Sequence, residues 1–102
     1  MFKYTYVWEF FTTPEARAQF EAAYGPNGAW IKLFRAAPGY IESILLQDTS
    51  NPLRYITIDR WESAAAHASF RSRFSKQYDA IDRHCLEFTV RENLVGEFTE
   101  ES

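Results

Sequence analysis

Two histidines, a cysteine and several carboxylates are the side chains of this sequence best suited to move a proton. His67 and His84 are the only imidazoles, and Cys85 is the single thiol. Imidazole titrates near neutrality, so His67 is a first candidate for general acid–base work. Its plainer reading is a solvated side chain on a helix flank, and His84 reads as a cation near a helix C-terminus. His84 and Cys85 are adjacent, so on a helix they diverge by roughly 100° and share no ligand. With no further donors at workable spacing, the sequence offers no metal site. Asp59 is the second catalytic candidate. Facing Glu42 across a hairpin, it would form a carboxylate pair in which one member takes a raised pKa. Its plainer reading is an ion pair with Arg54, Arg60 or Arg83, because buried charges are normally paired. Around these groups, Trp30, Phe34, Tyr55, Trp61, Phe70, Phe74 and Tyr78 are candidates to line an aromatic pocket. Tyr40, Tyr55 and Tyr78 add hydroxyls able to bond a phenol or quinone oxygen. Each of these rings is also a natural core residue.

The elements that hold these residues follow from hydrophobic period and punctuation. Phe2–Phe11 reads as a strand with Phe2, Tyr4, Tyr6, Trp8 and Phe10 on one face, and Val7 and Phe11 on the other. Thr13-Pro14-Glu15 is a helix start. Ala16, Phe20, Ala23 and Tyr24 continue at helical spacing until Gly25-Pro26-Asn27-Gly28 breaks it. A second helical piece carries Trp30, Leu33, Phe34 and Ala37 and stops at Pro38-Gly39. Tyr40–Asp48 and Leu53–Ser63 form a hairpin across Thr49-Ser50-Asn51-Pro52. With Asp48 opposite Leu53, Tyr40, Glu42, Ile44 and Leu46 share a face with Trp61, Asp59, Thr57 and Tyr55; a one-residue slip exchanges the faces. Ser63 then caps a helical stripe of Ala66, Phe70, Phe74, Tyr78, Ile81 and Cys85, with a bend at Ser75. Glu87–Phe98 is the last strand, with Gly96 as a bulge.

That order is the α+β, ferredoxin-like βαββαβ pattern, with both helical layers on one face of a four-stranded antiparallel sheet. Residues 1–102 are expected to make one domain. Three Trp, six Tyr and nine Phe put rings and aliphatics on both sheet faces. The helices cover only one, so a second copy of the chain, sheet against sheet, is the expected cover. A net charge of −3 argues against nucleic acid or an anionic membrane as partner. No segment is long and apolar enough to span a bilayer, and a lone cysteine permits no internal disulfide, which together suggest a cytoplasmic protein.

Several stretches, in order, carry a resemblance: Tyr6-Val7-Trp8-Glu9-Phe10, Gly28-Ala29-Trp30 with Leu33-Phe34, Pro38-Gly39-Tyr40, and Tyr55–Ser63 with its Asp59-Arg60-Trp61-Glu62-Ser63 end. Through them the chain resembles the antibiotic biosynthesis monooxygenase (ABM) family, of the dimeric α/β-barrel superfamily. The resemblance implies a homodimer of ferredoxin-like domains with a pocket in each subunit between helices and sheet. Some members oxygenate polycyclic aromatics without metal or flavin, and relatives degrade haem. The haem-degrading pattern needs an Asn on the first strand, a Trp on the second long helix and a His about three turns on. Here the first Asn is Asn27, Phe70 stands at the Trp position, and Ala80 lies ten residues further on. No cofactor is therefore expected. Two functions compete. One is a cofactor-independent monooxygenase of a small or polycyclic phenol- or quinone-type aromatic. The other is a non-catalytic dimeric module that binds a small apolar ligand. A pocket in which a His or carboxylate converges with a tyrosine favours the first; a closed, ring-filled one favours the second.

Overall fold

The strand Arg54–Trp61 (β3) alternates strictly, with Tyr55, Thr57, Asp59 and Trp61 buried and the residues between them half-buried. Its aromatic and β-branched residues suit a pleated surface, and the period of two sends them to opposite faces. In the computed structural model, which describes residues 3–100, β3 pairs on one side with β1 (Lys3–Phe11) and on the other with β2 (Tyr40–Gln47). β4 (Arg91–Glu100) pairs with the free side of β1, giving the order β2-β3-β1-β4, antiparallel throughout. Phe2, expected at the start of the first strand, lies outside the described residues. The helices are α1 (Arg17–Tyr24), α2 (Ala29–Arg35), α3 (Ala64–Arg73) and α4 (Ser75–Cys85). The chain has the α+β, ferredoxin-like fold that its element order implies.

Tyr4, Tyr6, Trp8 and Phe10 of β1 stand opposite Trp61, Asp59, Thr57 and Tyr55, so the aromatic face of β1 joins the buried face of β3. Onto it the helices lay Phe20, Trp30, Phe34 and Phe70 as one aromatic core. Trp61 is fully buried, with ring centroids of Phe70, Tyr40 and Phe34 at 5.0, 5.4 and 5.8 Å. Ser63 caps α3 as its position suggests, its hydroxyl accepting the Ala66 N–H at 3.0 Å.

Four boundaries differ from the sequence reading, each for a local reason. The hairpin register is one residue away from the expected one. Asp48 pairs with Arg54, its N–H reaching the Arg54 carbonyl at 2.9 Å. Asp48 Oδ1 accepts from Ser50 N, and Asn51 Oδ1 accepts from Leu53 N, which keeps Leu53 inside the turn. The slip turns Ser43 and Leu45 to the helix side with Asp59 and Thr57, and sends Glu42, Ile44 and Leu46 to the open side with Arg60, Ile58 and Ile56. A bulge at Ile41 restores Tyr40 to the helix side, opposite Trp61. Thr13 caps a turn rather than the helix itself, bonding Ala16 N, and α1 starts at Arg17. The long helix breaks at Phe74, whose backbone leaves helical geometry one residue before the expected bend. Glu87 belongs to a 3-10 turn, Leu86–Phe88, held by the bond from Thr12 Oγ1 to the Phe88 carbonyl at 2.6 Å; β4 therefore starts at Arg91. The bulge in β4 falls beside Gly96, where β1 passes from Val7 to Trp8.

The opposite face of the sheet is bare of helices. Ile44, Leu46 and Phe98 stand 39, 46 and 51 % exposed on it.

Candidate active site

Between the helices and the covered face of the sheet lies a cavity of about 310 Å³. Tyr6, Trp8 and Phe10 of β1 and Thr57 and Asp59 of β3 form its floor, with Ser43 at the β2 side. Trp30, Ile31 and Phe34 of α2 and Tyr24 at the end of α1 form one wall. Arg71 of α3, Tyr78 and Asp82 of α4, Glu92 of β4 and, at the β2 edge, Ile44 complete it.

Asp59 is the one carboxylate on the floor, and 7 % of its surface is exposed. Among the described residues, none of the arginines proposed as its partners forms an ion pair with it. Arg60 bonds Glu42 and, at 2.6 Å, Glu100 on the open face. Arg54 bonds Glu9 at 2.7 Å and Asp48 at 3.0 Å. Asp59 also does not pair with Glu42, because the register places the two on opposite faces. Its hydrogen bond comes from Ser43 Oγ, which in turn accepts the Tyr40 hydroxyl at 2.8 Å. Burial disfavours the charged form, and the Ser43 bond only partly offsets it, so the carboxyl is pushed up to about 6. Tyr6 sits directly across from Asp59. Burial, reinforced by the Asp59 charge, holds its phenol protonated far above the usual tyrosine range. Tyr78 and Tyr24 are raised by burial as well. Glu92 is raised by burial and by neighbouring Asp82.

His67 does not reach the cavity lining. Instead of standing in solvent on the helix flank, it packs half-buried against Tyr6, Trp61 and Tyr4, with ring centroids at 4.8, 5.3 and 5.5 Å. Burial and then the Arg71 charge push its pKa down to about 4, so it is neutral at pH 7. His84 lies in the last turn of α4, edge-on to Phe88 at 5.1 Å.

Of the rings named from sequence, Trp30, Phe34 and Tyr78 line the cavity. Trp61 and Phe70 are core and do not line it, and Phe70 and Phe74 border a separate groove with Pro38 and Ala66. Tyr55 is fully buried with its hydroxyl given to Glu21, away from the cavity. Tyr6, Trp8, Phe10, Tyr24, Ser43, Thr57 and Arg71 line the cavity without having been named as candidates. The alternation of β1 already put Tyr6, Trp8 and Phe10 on one face; Ser43 was out of reach because it depends on the hairpin register. Arg71 lies over the Tyr78 ring, its guanidinium carbon 3.9 Å from the centroid.

No group of three or more His, Cys, Asp or Glu among the described residues is arranged to hold a metal ion. No helix among them is long and apolar enough to cross a membrane. Chemically, the arrangement offers one buried base of raised pKa, protonated phenols beside it, and rings to hold a flat apolar ligand.

Solved structures share this architecture. SnoaB from Streptomyces nogalater, a cofactor-independent oxygenase, is 20 % identical with a TM-score of 0.71, covering 100 % of this chain and 96 % of its own. A conserved protein from Methanosarcina mazei Go1 is 14 % identical with a TM-score of 0.75, covering 99 % and 95 %. A Mycobacterium tuberculosis protein is 20 % identical with a TM-score of 0.72, covering 98 % and 99 %. At such identities the likeness is one of fold. No curated protein sequence matches the chain. The sequence profile described as antibiotic biosynthesis monooxygenase matches residues 4–83, most of the chain, and the protein therefore belongs to that family.

Proposed function

We propose that the protein is a cofactor-independent monooxygenase of a small phenol- or quinone-type aromatic, with Asp59 as its general base. The observation that carries this reading is the buried Asp59 carboxyl, free of any arginine partner, on the floor of a ring-lined cavity. The cavity volume lies at the low end of the range for small-ligand sites, about 300–1,000 Å³, with room for a few fused rings. An anthrone-type substrate needs little from a protein. Asp59 removes a ring C–H proton, and the resulting enolate gives one electron to dioxygen. The two radicals combine as a peroxide anion at that carbon, which takes up a proton to become a hydroperoxide. Loss of the remaining C–H proton expels hydroxide, which leaves as water, and a carbonyl remains. One dioxygen is consumed, one oxygen atom enters the product and the other leaves in water. The protein binds, deprotonates and excludes bulk water. A base with a pKa of about 6 is largely ionised at pH 7 and still strong enough for an acidic C–H. Tyr6 and Tyr78, held protonated, are placed to donate to the developing oxyanion. Asp59, Asp82 and Glu92 set against Arg71 alone favour a neutral ligand over a carboxylate.

The reading extends to assembly: the open sheet face closes on a second copy. The charged side chains there are already paired within the chain, with Arg60 between Glu42 and Glu100, Arg54 between Glu9 and Asp48, and Lys3 beside Glu100. What remains to be covered is apolar, chiefly Ile44, Leu46 and Phe98. The competing reading, a non-catalytic ligand-binding module, predicts binding without turnover. Oxygen uptake with anthrone, corrected for its spontaneous oxidation, separates the two. The enzyme reading requires catalysed formation of one anthraquinone per dioxygen by chelator-treated protein, and binding with no rate above background would reject it.

A further inference from the structure

Asp59 is buried, so its carboxyl needs a path by which to exchange protons with solvent. Among the described residues, the only side chain hydrogen-bonded to it is Ser43, and the only one bonded to Ser43 besides Asp59 is Tyr40. Tyr40 is half-buried on β2, an edge strand of the sheet. Residues 40 and 43 differ in parity and would fall on opposite faces of a regular strand. The bulge at Ile41 places both on the helix side. An extra residue in an edge strand re-aims a side chain, and here it aims a phenol at a serine hydroxyl.

We infer that Tyr40 and Ser43 form a hydrogen-bonded relay that positions Asp59 and carries its proton between the cavity and the sheet edge. The inference rests on the proposed role of Asp59 as base. In the resting state Tyr40 Oη–H donates to Ser43 Oγ, and Ser43 Oγ–H donates to the Asp59 carboxylate. That direction holds Asp59 ionised and ready. Once Asp59 has taken a proton, rotation of the two hydroxyls reverses the chain. The Asp59 proton passes to Ser43 as the Ser43 proton passes to Tyr40, and the Tyr40 proton passes to water. Each oxygen ends with the hydrogens it began with, and one proton has left the cavity; run in reverse, the same chain returns the proton that the peroxide takes up.

Other groups facing Asp59 act differently. Tyr6 on β1 lies opposite it, and its phenol is held protonated by burial. Tyr78, Arg71, Asp82 and Glu92 line the same cavity from the helices and β4, and none is hydrogen-bonded to Asp59. Tyr40 shares its ring packing with Trp61 and Phe34, so Tyr40→Phe keeps the ring and removes only the hydroxyl.

The test is a carboxyl-carbon NMR titration of Asp59 in the native chain, Ser43→Ala, Ser43→Thr and Tyr40→Phe. Losing the donor to a carboxylate raises its midpoint, by on the order of one pH unit for Ser43→Ala. Ser43→Thr should restore the native midpoint, and Tyr40→Phe, which never touches Asp59, should still raise it by a smaller amount. An unchanged midpoint in Ser43→Ala or in Tyr40→Phe overturns the relay. A parallel arm follows oxygen uptake with anthrone. Tyr40→Phe should lower kcat several-fold at constant KM, and unchanged kcat overturns the transfer role. If the native protein shows no turnover of anthrone, the base reading fails and the titration alone decides whether Tyr40 and Ser43 govern Asp59.

Discussion

Replacing Asp59 with Asn separates the cost of burying a charge from the shape of the side chain. The native carboxyl has its midpoint at about 6, against an ordinary value of 3.8. The folded chain thus holds this proton more tightly than the unfolded chain does. Stability therefore falls as pH rises from about 4 through about 6, and the full penalty stands above that. A shift of this size corresponds to about 3 kcal/mol, a large share of the roughly 5–15 kcal/mol that holds a domain together. Asn is neutral at every pH and keeps an oxygen for the Ser43 hydroxyl. Asp59→Asn is thus expected to be more stable than the native protein by about 2–3 kcal/mol at pH 8, or on the order of 10 °C in Tm. The advantage should vanish near pH 4. His67 acts in the opposite sense. Its pKa is pushed down to about 4 from 6.5, so the folded chain refuses a proton that the unfolded chain takes. That contribution is lost as pH falls from about 6.5 to 4, and because both proteins carry it, it cancels in their difference. Urea unfolding followed by tryptophan fluorescence at half-unit steps from pH 4 to 8 gives the comparison. A difference that is flat with pH, or that grows toward acid, would refute the reasoning.

Other expected outcomes follow from packing. Trp61→Ala should cost about 3–5 kcal/mol, because a fully buried indole amid Tyr40, Phe34, His67 and Phe70 leaves a cavity. Thermal unfolding and ligand affinity measured together would show binding lost along with the fold; unchanged stability with abolished binding would contradict this. Gly39 has φ +89°, and a Cβ there would meet the Ala66 Cβ at 2.5 Å, so Gly39→Ala should lower stability by roughly 1–3 kcal/mol in urea unfolding. Ile58→Glu, in the middle of the open face, should give a folded monomer in sedimentation while the native chain sediments as a dimer. A native protein that is monomeric at micromolar concentration would remove the case for a paired sheet.

How much of this was legible in the sequence depended on the range of the interaction. The alternation of Tyr55, Thr57, Asp59 and Trp61 is a local pattern, and it put the four on one face of β3; which face the helices cover was not legible, because Ile56 and Ile58 make the other face apolar as well. Ser63 likewise announced the start of α3. The hairpin register hung on whether Leu53 sits in the turn or in the strand, which Asp48 and Asn51 decide through their side-chain bonds. That one residue moved Glu42 away from Asp59 and brought Ser43 in, so the carboxylate pair expected from sequence became a single carboxylate with a hydroxyl donor. The bulge that returns Tyr40 to the same face leaves no mark in composition. His67 offers a similar lesson. Its type suggested chemistry and its neighbours suggested solvent, but Tyr4 and Tyr6, sixty residues away in sequence, enclose it. Among the rings, residue type alone did not separate cavity from core. Trp30 and Phe34 are buried yet line the cavity, whereas Trp61 and Phe70 are buried without reaching it.

The role of Asp59 is tested most directly by the pH dependence of oxygen consumption with anthrone, native protein against Asp59→Asn, after subtraction of the uncatalysed rate. If Asp59 is the base, kcat/KM rises through a midpoint near 6 in the native protein, and the variant loses both that rise and about 10²–10⁴-fold in rate. A variant that keeps the native rate and the same pH profile would show that the proton leaves by another group.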